Sequence, residues 1–283
     1  MVAMDQRPLL IVDGDNLAHR AYHSTPTTVR GNDGRALNAV VGFFGMLASV
    51  WATETPRAIF VAWDTLGAET YRHQLWPTYQ SGRVFDSAIV EQLDVLPALC
   101  AAFEFGVARV TGYEADDLMA AATQREVARG GTCLLLTSDR DSYQLVSDSV
   151  TMLAPTRGVR EMDRIGPLQV VERLGVLSEQ VPDYKALAGD SSDRIPGAKG
   201  VGPKTAAALI LRYGTLDEIL ARGNRPGEAE LLLRFREIVR MRPDVEVTLS
   251  LGPPNWAAGA ARLRELGAER LADRLSTLPQ SAS

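Results

Sequence analysis

The sequence has little cysteine, lysine or histidine and no long apolar run. Its two cysteines, Cys100 and Cys133, each lie inside an apolar stretch, which excludes a disulfide framework or thiolate zinc centre in favour of two buried thiols in a reducing compartment. No run of about 18 apolar residues offers a membrane span, and the first ten residues carry Asp5 and Arg7 where a secretory leader would be apolar, so a cytoplasmic protein is expected. Histidine is confined to positions 19, 23 and 73, and no nucleophile-elbow motif occurs, which removes a Ser-His-Asp hydrolase. Lysine occurs only at 185, 199 and 204, so 27 of the 30 basic residues are arginine. Three compact cations within twenty residues are what contact along a phosphate backbone would use.

What is present is enough for one large α/β domain and a smaller unit: 283 residues, 46% hydrophobic and 23% charged. The formal net charge of −5 argues against nucleic acid only until the acids are located. Setting nine candidate ligands apart from the 35 acids leaves 26 against 30 basic residues, a mildly basic body.

Strand-like apolar runs at 9–12, 58–63, 107–110, 133–136 and 150–153 alternate with helix-period segments near 36–51, 88–104 and 115–129. That alternation predicts a mostly parallel central sheet covered by helices on both faces, α/β in class. After about residue 175 the pattern turns to short helices broken by Gly and Pro, with one further strand expected at 246–250 and a single packing helix over 259–276. No internal repeat or low-complexity tract is present.

Three predicted strands run directly into acid: LLIVDGD, FVAWD and LLLTSDRD. A fourth cluster, Glu114, Asp116 and Asp117, follows the VARV strand and opens a helix. In a parallel sheet, ligands sit beyond the carboxyl ends of the strands, so independent segments deliver carboxylates to one edge. Any one of them reads equally well as a helix cap. As a set they raise one another's pKa and destabilise the fold unless cations neutralise them. Hard oxygen donors without His or Cys select Mg²⁺ or Mn²⁺ over zinc and point to metal-assisted hydrolysis. On the helix start, Glu114 and Asp117 share a face and Asp116 points elsewhere. Asp139 and Asp141, two apart, fall on one side of an extended strand end.

The stretches LLIVDGDNLAHRAYH (9–23), FVAWD (60–64), GYEADDLMA (112–120), LTSDRDSYQLVSD (136–148) and DYKALAGDSSDRIPGAKGVGPKTAAAL (183–209) together resemble the bacterial 5′-nuclease, or flap endonuclease, family. This is the exonuclease domain found at the amino end of DNA polymerase I and as separate phage and bacterial enzymes. The resemblance covers nearly the whole chain. It implies a PIN-like nuclease core over 1–175 with an arch at 65–90, a helix-hairpin-helix region over 176–245, and a segment 246–283 packing back on the core. It implies a DNA 5′-nuclease with flap endonuclease and 5′-3′ exonuclease activity, acting on a 5′ flap, a free 5′ end or RNA primers. It also implies a monomer that works beside a separate polymerase and ligase.

By the resemblance, Asp13, Asp64, Glu114 and Asp116, with Asp117 nearby, gather a first metal, and Asp139, Asp141, Asp190 and Asp193 a second. Arg20, Lys185, Lys199, Gly200, Gly202, Lys204 and Thr205 would contact DNA, and K⁺ would sit at the Gly-rich turn. That turn is also legible physically, since backbone N–H groups at a helix start suit phosphate. A Walker A loop is excluded because Pro203 separates Gly202 from Lys204 and no strand leads in. In the arch segment, Arg72, His73 and Arg83 among Tyr71, Trp76, Tyr79 and Phe85 suit single-stranded DNA, with Arg72 and Arg83 at the family's basic positions.

Three positions depart from the pattern. Gln80 stands where the family usually carries a catalytic lysine, so slower chemistry is expected, with Arg83 or Arg72 supplying charge. Asp15 adds a carboxylate two residues after Asp13, either facing metal-held water or capping a helix. Arg194 replaces the usual Asn and pairs with a pocket acid or a phosphate. The alternatives are a PIN-like ribonuclease, which the 183–209 stretch opposes, and a catalytically weakened binder of branched DNA, which the complete set of acids opposes.

Overall fold

The computed structural model describes residues 6–82, 86–156, 161–223, 227–249 and 251–279. In chain order the elements are β1 (Leu9–Asp13), α1 (Gly14–Ser24), α2 (Asn38–Glu54), β2 (Ala58–Trp63), α3 (Tyr71–Leu75), α4 (Ser87–Ala102), β3 (Gly106–Arg109), α5 (Ala115–Ala128), β4 (Cys133–Leu136), β5 (Val150–Pro155), β6 (Met162–Ile165), α6 (Pro167–Leu174), α7 (Val181–Ala188), α8 (Pro203–Tyr213), α9 (Leu216–Ala221), α10 (Ala229–Val239), α11 (Trp256–Glu265) and α12 (Glu269–Ser276).

The sheet runs β3-β2-β1-β4-β5-β6, with the first five strands mutually parallel and β6 antiparallel to β5. Strands β1 and β2 are buried along their whole length because helices cover both faces, which is why they read as unbroken apolar runs rather than alternating ones. From β1 the chain moves outward to β2 and β3, then returns to the other side of β1 for β4. The strand order thus reverses at β1, and the crevice at a reversal point is where a doubly wound sheet binds ligands.

Each face has its own core. On one, Leu10, Val12, Phe43, Phe44, Trp63 and Phe103 pack with Trp256 and Leu275 of α11 and α12. On the other, Leu9, Ile11, Phe60 and Leu118 are continuous with Leu187, Ile210, Leu232 and Phe235 of the helical unit. A Cβ at Gly259 would lie 2.1 Å from the Phe103 ring, so only glycine lets α11 approach this closely.

Three expectations are corrected. Strand β6 was missed: MDRI is a four-residue, half-exposed edge strand carrying two charges and lacks a periodic signal. Residues 246–249 form no strand, although Val247 is buried and its carbonyl accepts from Arg125 at 2.6 Å. The tail is two helices rather than one, broken at Gly267, whose φ of +93° brings the chain against Asn32. Cys100 and Cys133 are buried and unpaired, as expected.

Candidate functional site: an acid-lined pocket at the sheet edge

The pocket lies at the carboxyl ends of β1, β2 and β4. A lining of Asp13, Asp15, Asp64, Glu114, Asp116, Asp139, Asp141 and Asp193 encloses about 570 Å³. Capping, the structural reading of these acids, and pocket lining, the functional one, prove compatible. Asp13 caps α1 by accepting the Asn16 N–H (3.0 Å), and its other oxygen accepts the Thr137 hydroxyl (2.9 Å). Asp139 caps the 3₁₀ turn at 140–145 through the Asp141 N–H (2.9 Å). Asp64 accepts the Ala115 N–H (2.7 Å). Glu114, the N-cap of α5, accepts from the Tyr79 hydroxyl (3.0 Å) and the Thr70 hydroxyl (3.2 Å). Each bond orients one lone pair and leaves others facing the pocket.

Burial sets the electrostatics. Burial, with Asp64 and Asp139 nearby, pushes Asp13 up to about 7. Burial against Asp64, offset in part by Arg72, brings Glu114 to about 7. Asp116 rises well above the carboxylate range through burial and the charges of Asp139 and Asp13. One of its oxygens, Oδ1, is buried without a hydrogen-bond partner. An orphaned carboxylate oxygen among crowded acids fits a hard divalent cation, since such an ion supplies the missing partner and the missing charge together.

On the far wall, Asp141, Asp190 and Asp193 bring three carboxylate oxygens within 4.8 Å of one another. The loop carrying Asp190 and Asp193 is pinned by paired backbone bonds between Asp190 and Ile195, both 2.8 Å. Gly189, at φ +80°, is required there because a Cβ would meet the Ile195 and Pro196 carbonyl oxygens at 2.8 Å.

Several predicted residues stand elsewhere. Asp117 is fully buried and turned out of the pocket. It takes a bidentate ion pair from Arg72 (2.6 and 2.8 Å) and accepts the Glu114 N–H (3.1 Å), so its carboxylate has no face left for a metal. Arg72, 2% exposed, also donates to the Ile238 carbonyl (2.8 Å), which removes it from reach of a phosphate. The arch aromatics point inward: Tyr71 donates to the Arg240 carbonyl (3.1 Å), Trp76 packs edge-on against Phe235, and Tyr79 meets Glu114. They offer no stacking platform for bases. Arg83 and Phe85 lie outside the described residues.

Lys185 is likewise not on a DNA-facing surface. It is 9% exposed, with its ammonium against Asp141 and 2.6 Å from Asp190. Burial raises the Asp190 pKa, but the Lys185 charge, with the Ser192 hydroxyl and amide, holds it below the usual value. Arg20, on α1, is half-buried, and its Nε has no partner. Asp15 does not cap a helix; its carboxylate accepts the Asp64 N–H (2.7 Å) and lines the pocket. Gln80, at φ +47°, donates to Asp193 (3.1 Å) and to the Tyr79 oxygen (2.8 Å). Arg194 is exposed, its backbone carbonyl accepts from Trp76 (3.1 Å), and its guanidinium lies under Gly82.

The helix-hairpin-helix reading corresponds to α7, the turn 189–202 and α8. Pro203 opens α8, and no side chain caps Gly202, which leaves the N–H groups at Lys204 and Thr205 facing outward beside their exposed side chains. Lys199 and Gly200 are exposed on the same turn.

Sequence reasoning passed over Asn16 and Thr137 and read Tyr79 as an arch aromatic for DNA, yet all three hold the acids in place. Asn16 and Thr137 lie within the quoted motifs, but only the fold shows their partners. It also left histidine out of the pocket, yet His19 and His73 line it, and His73 Nδ1 accepts the Thr70 N–H (3.1 Å).

A doubly wound sheet with an acid-lined pocket at its reversal point and a helical hairpin beside it defines an α/β protein whose pocket chemistry suits a hard cation. Two family models match the chain: the N-terminal resolvase-like domain of 5′-3′ exonucleases over residues 8–175, and their C-terminal SAM fold over residues 176–257. The chain belongs to the 5′-3′ exonuclease family.

Among its relatives, the 5′-3′ exonuclease of Mycobacterium tuberculosis is 32% identical over an alignment of 316 positions, covering 96% of this chain and 99% of that protein. DNA polymerase I of Mycobacterium bovis is 38% identical over 240 residues, covering 83% of this chain but only 26% of the polymerase. The chain thus spans about a quarter of the length of that relative. In solved structures, the bacteriophage T5 D15 flap endonuclease, in a pseudo-enzyme-product complex with DNA and metal ions, superposes with a TM-score of 0.69 over 95% of this chain and 97% of that one. At 22% identity that likeness extends to the fold.

Proposed function

We propose that the protein is a structure-selective 5′-nuclease that hydrolyses DNA phosphodiesters at a pocket holding two divalent cations, Mg²⁺ or Mn²⁺. The observation that carries this reading is the convergence of carboxylates from five separate chain segments on one pocket, in a chain of the 5′-3′ exonuclease family. Asp139, which the resemblance groups with the second ion, lies close enough to Asp13 and Asp116 to raise the pKa of both, so Asp13, Asp64, Glu114, Asp116 and Asp139 would hold one ion, and Asp141, Asp190 and Asp193 the other. Bound there, such ions supply Lewis acidity, activation of water and neutralisation of the phosphate.

The chain's own groups do the rest. Asn16, Thr137, Tyr79 and the Ala115 amide fix the carboxylates, so little reorganisation accompanies substrate entry. Gln80, the arch residue whose amide lies beside Asp193, orients a phosphate as a neutral donor. The α7–α8 hairpin grips duplex backbone through Lys199, Lys204, Thr205 and free N–H groups, positioning the substrate without reading sequence. We place K⁺ at the exposed turn around Gly200 and Gly202, where a side chain would meet nothing and backbone is open to a ligand. The substrates are 5′ flaps, free 5′ ends and RNA primers, and the protein acts as a cytoplasmic monomer alongside polymerase and ligase activities.

The test is incubation with a 5′-flap duplex, with and without Mg²⁺ or Mn²⁺, beside Asp139→Asn. Cleavage should require the ion, and the variant should lose at least the ~10–100-fold that removal of an outer-shell partner costs. Cleavage in EDTA, or an Asp139→Asn protein as active as wild type, overturns the proposal.

A further inference from the structure

The two halves of the pocket differ in where the chain's own cations stand: Lys185 lies among the carboxylates of one, whereas on the other the Arg72 guanidinium stays 3.7 Å from Glu114. Lys185 projects from the last turn of α7. Its ammonium touches Asp141 and lies 2.6 Å from Asp190, two of the three carboxylates whose oxygens come within 4.8 Å of one another. The third, Asp193, accepts instead from the neutral amide of Gln80. Across the pocket Asp116 keeps an oxygen with no hydrogen-bond partner. The other two lysines, Lys199 and Lys204, are exposed at the hairpin turn and the start of α8.

We propose that Lys185 is a tethered counter-ion that competes with the divalent cation for the Asp141–Asp190–Asp193 half of the pocket, so that this half fills second and more weakly. The inference rests on the divalent-cation reading above.

An ion held by these carboxylates would lie roughly 2.0–2.6 Å from their oxygens. That is the space in which the ammonium now makes its contacts, so lysine and ion exclude one another. The ammonium is buried, and it is stabilised only as long as the two carboxylates face it. A divalent ion gains the attraction of three carboxylates but must first separate that pair, whereas on the Asp13–Asp116 side the Arg72 guanidinium is held by Asp117 and stays 3.7 Å from Glu114. The same lysine offsets one of the three negative charges of that half before the ion arrives, easing the repulsion that an ion-free acid cluster imposes. Displacement swings the Lys185 side chain out of the carboxylate cluster, so the second ion's entry and the lysine's position are linked.

The test uses the full chain without DNA. Mn²⁺ titration followed by calorimetry should resolve a tighter and a weaker class of site in wild type. Lys185→Met, which keeps the length of the side chain and removes its charge, should tighten the weaker class by at least about tenfold and leave the tighter class within about twofold. A weaker class unchanged or loosened in Lys185→Met overturns the inference.

Because the chain has only three lysines, lysine-selective labelling gives a second readout in unmutated protein. On addition of Mg²⁺, one side-chain signal, lost in Lys185→Arg, should shift during filling of the weaker class while the other two stay in place. No shift of that signal at saturating Mg²⁺ also overturns it. Binding of no divalent ion at all sinks the cation reading itself, whereas two ions with an indifferent Lys185 sink only this inference.

Discussion

Arg72 and Asp117 form a buried bidentate ion pair, at 2.6 and 2.8 Å, that joins the arch helix α3 to the first turn of α5. Arg72 also bonds the Ile238 carbonyl at the end of α10, and Asp117 accepts the N–H groups of Glu114 and Arg242. Three elements therefore meet at one pair, and Glu114 is held one turn away. Asp117→Asn removes the charge that both ends of the guanidinium face and leaves it buried with only Glu114, 3.7 Å away, which costs about 3–5 kcal/mol. The expected result is a melting temperature lower by on the order of 10 °C, with or without Mn²⁺, and two classes of cation site retained by calorimetry. Asp116→Asn should do the reverse, losing cation affinity while the metal-free melting temperature stays the same or rises. Loss of a cation class in Asp117→Asn would restore Asp117 as a ligand.

Metal-free protein should lose stability as pH rises. Asp13 and Glu114 have folded values of about 7, and Asp116 is also raised, so between about pH 4 and 7 the folded state holds more protons than the unfolded one. Stability then falls with increasing pH through that window and levels off above the folded values. In EDTA, melting at pH 8 should lie on the order of 5–10 °C below that at pH 5.5. Saturating Mn²⁺ should abolish most of the difference, because the ion binds the deprotonated carboxylates. A metal-free melting temperature that climbs over this range contradicts the assignment.

Gln80 stands beside Asp193 with a neutral donor, and Arg72, which might have replaced the charge, is committed to Asp117. At saturating divalent ion, Gln80→Lys should raise the single-turnover rate on a 5′-flap duplex by about tenfold, a fraction of what one transition-state donor is worth. An unchanged or slower variant means that the amide already suffices.

Lys204 and Thr205 present side chains and free N–H groups at the start of α8. Lys204→Ala should weaken duplex binding equally across unrelated sequences and reduce the slope of log affinity against log salt by about one. Its cleavage rate once bound should stay near wild type. Sequence-dependent loss, or an unaltered salt slope, would remove the hairpin from the DNA-binding surface.

Much of the fold was legible because it is written in local periodicity. The five parallel strands and the crossover helices lie within a few residues of where apolar runs and helical spacing placed them, and the acids at strand ends follow from strand direction alone. Elements whose identity depends on a neighbour were not legible. The four residues of β6 become a strand only by pairing with β5. Val247 is apolar because it is buried, not because it lies in a sheet. Gly267 breaks the tail where the chain must pass Asn32.

The same division runs through the site. By itself the sequence determined that hard carboxylates gather at the carboxyl edge of a parallel sheet, since parallel strands that each end in acid deliver those acids to the same edge. Tertiary structure alone decided which of them face one another. Asp117 and Asp116 are adjacent in sequence, yet one is neutralised by Arg72, 45 residues away, and the other is left with an open oxygen. Lys185 reads as a surface cation until α7 packs it against Asp141. Side-chain chemistry is local, but the charge that a buried group meets is set by whatever the fold brings within a few ångströms, and no spacing along the chain records that.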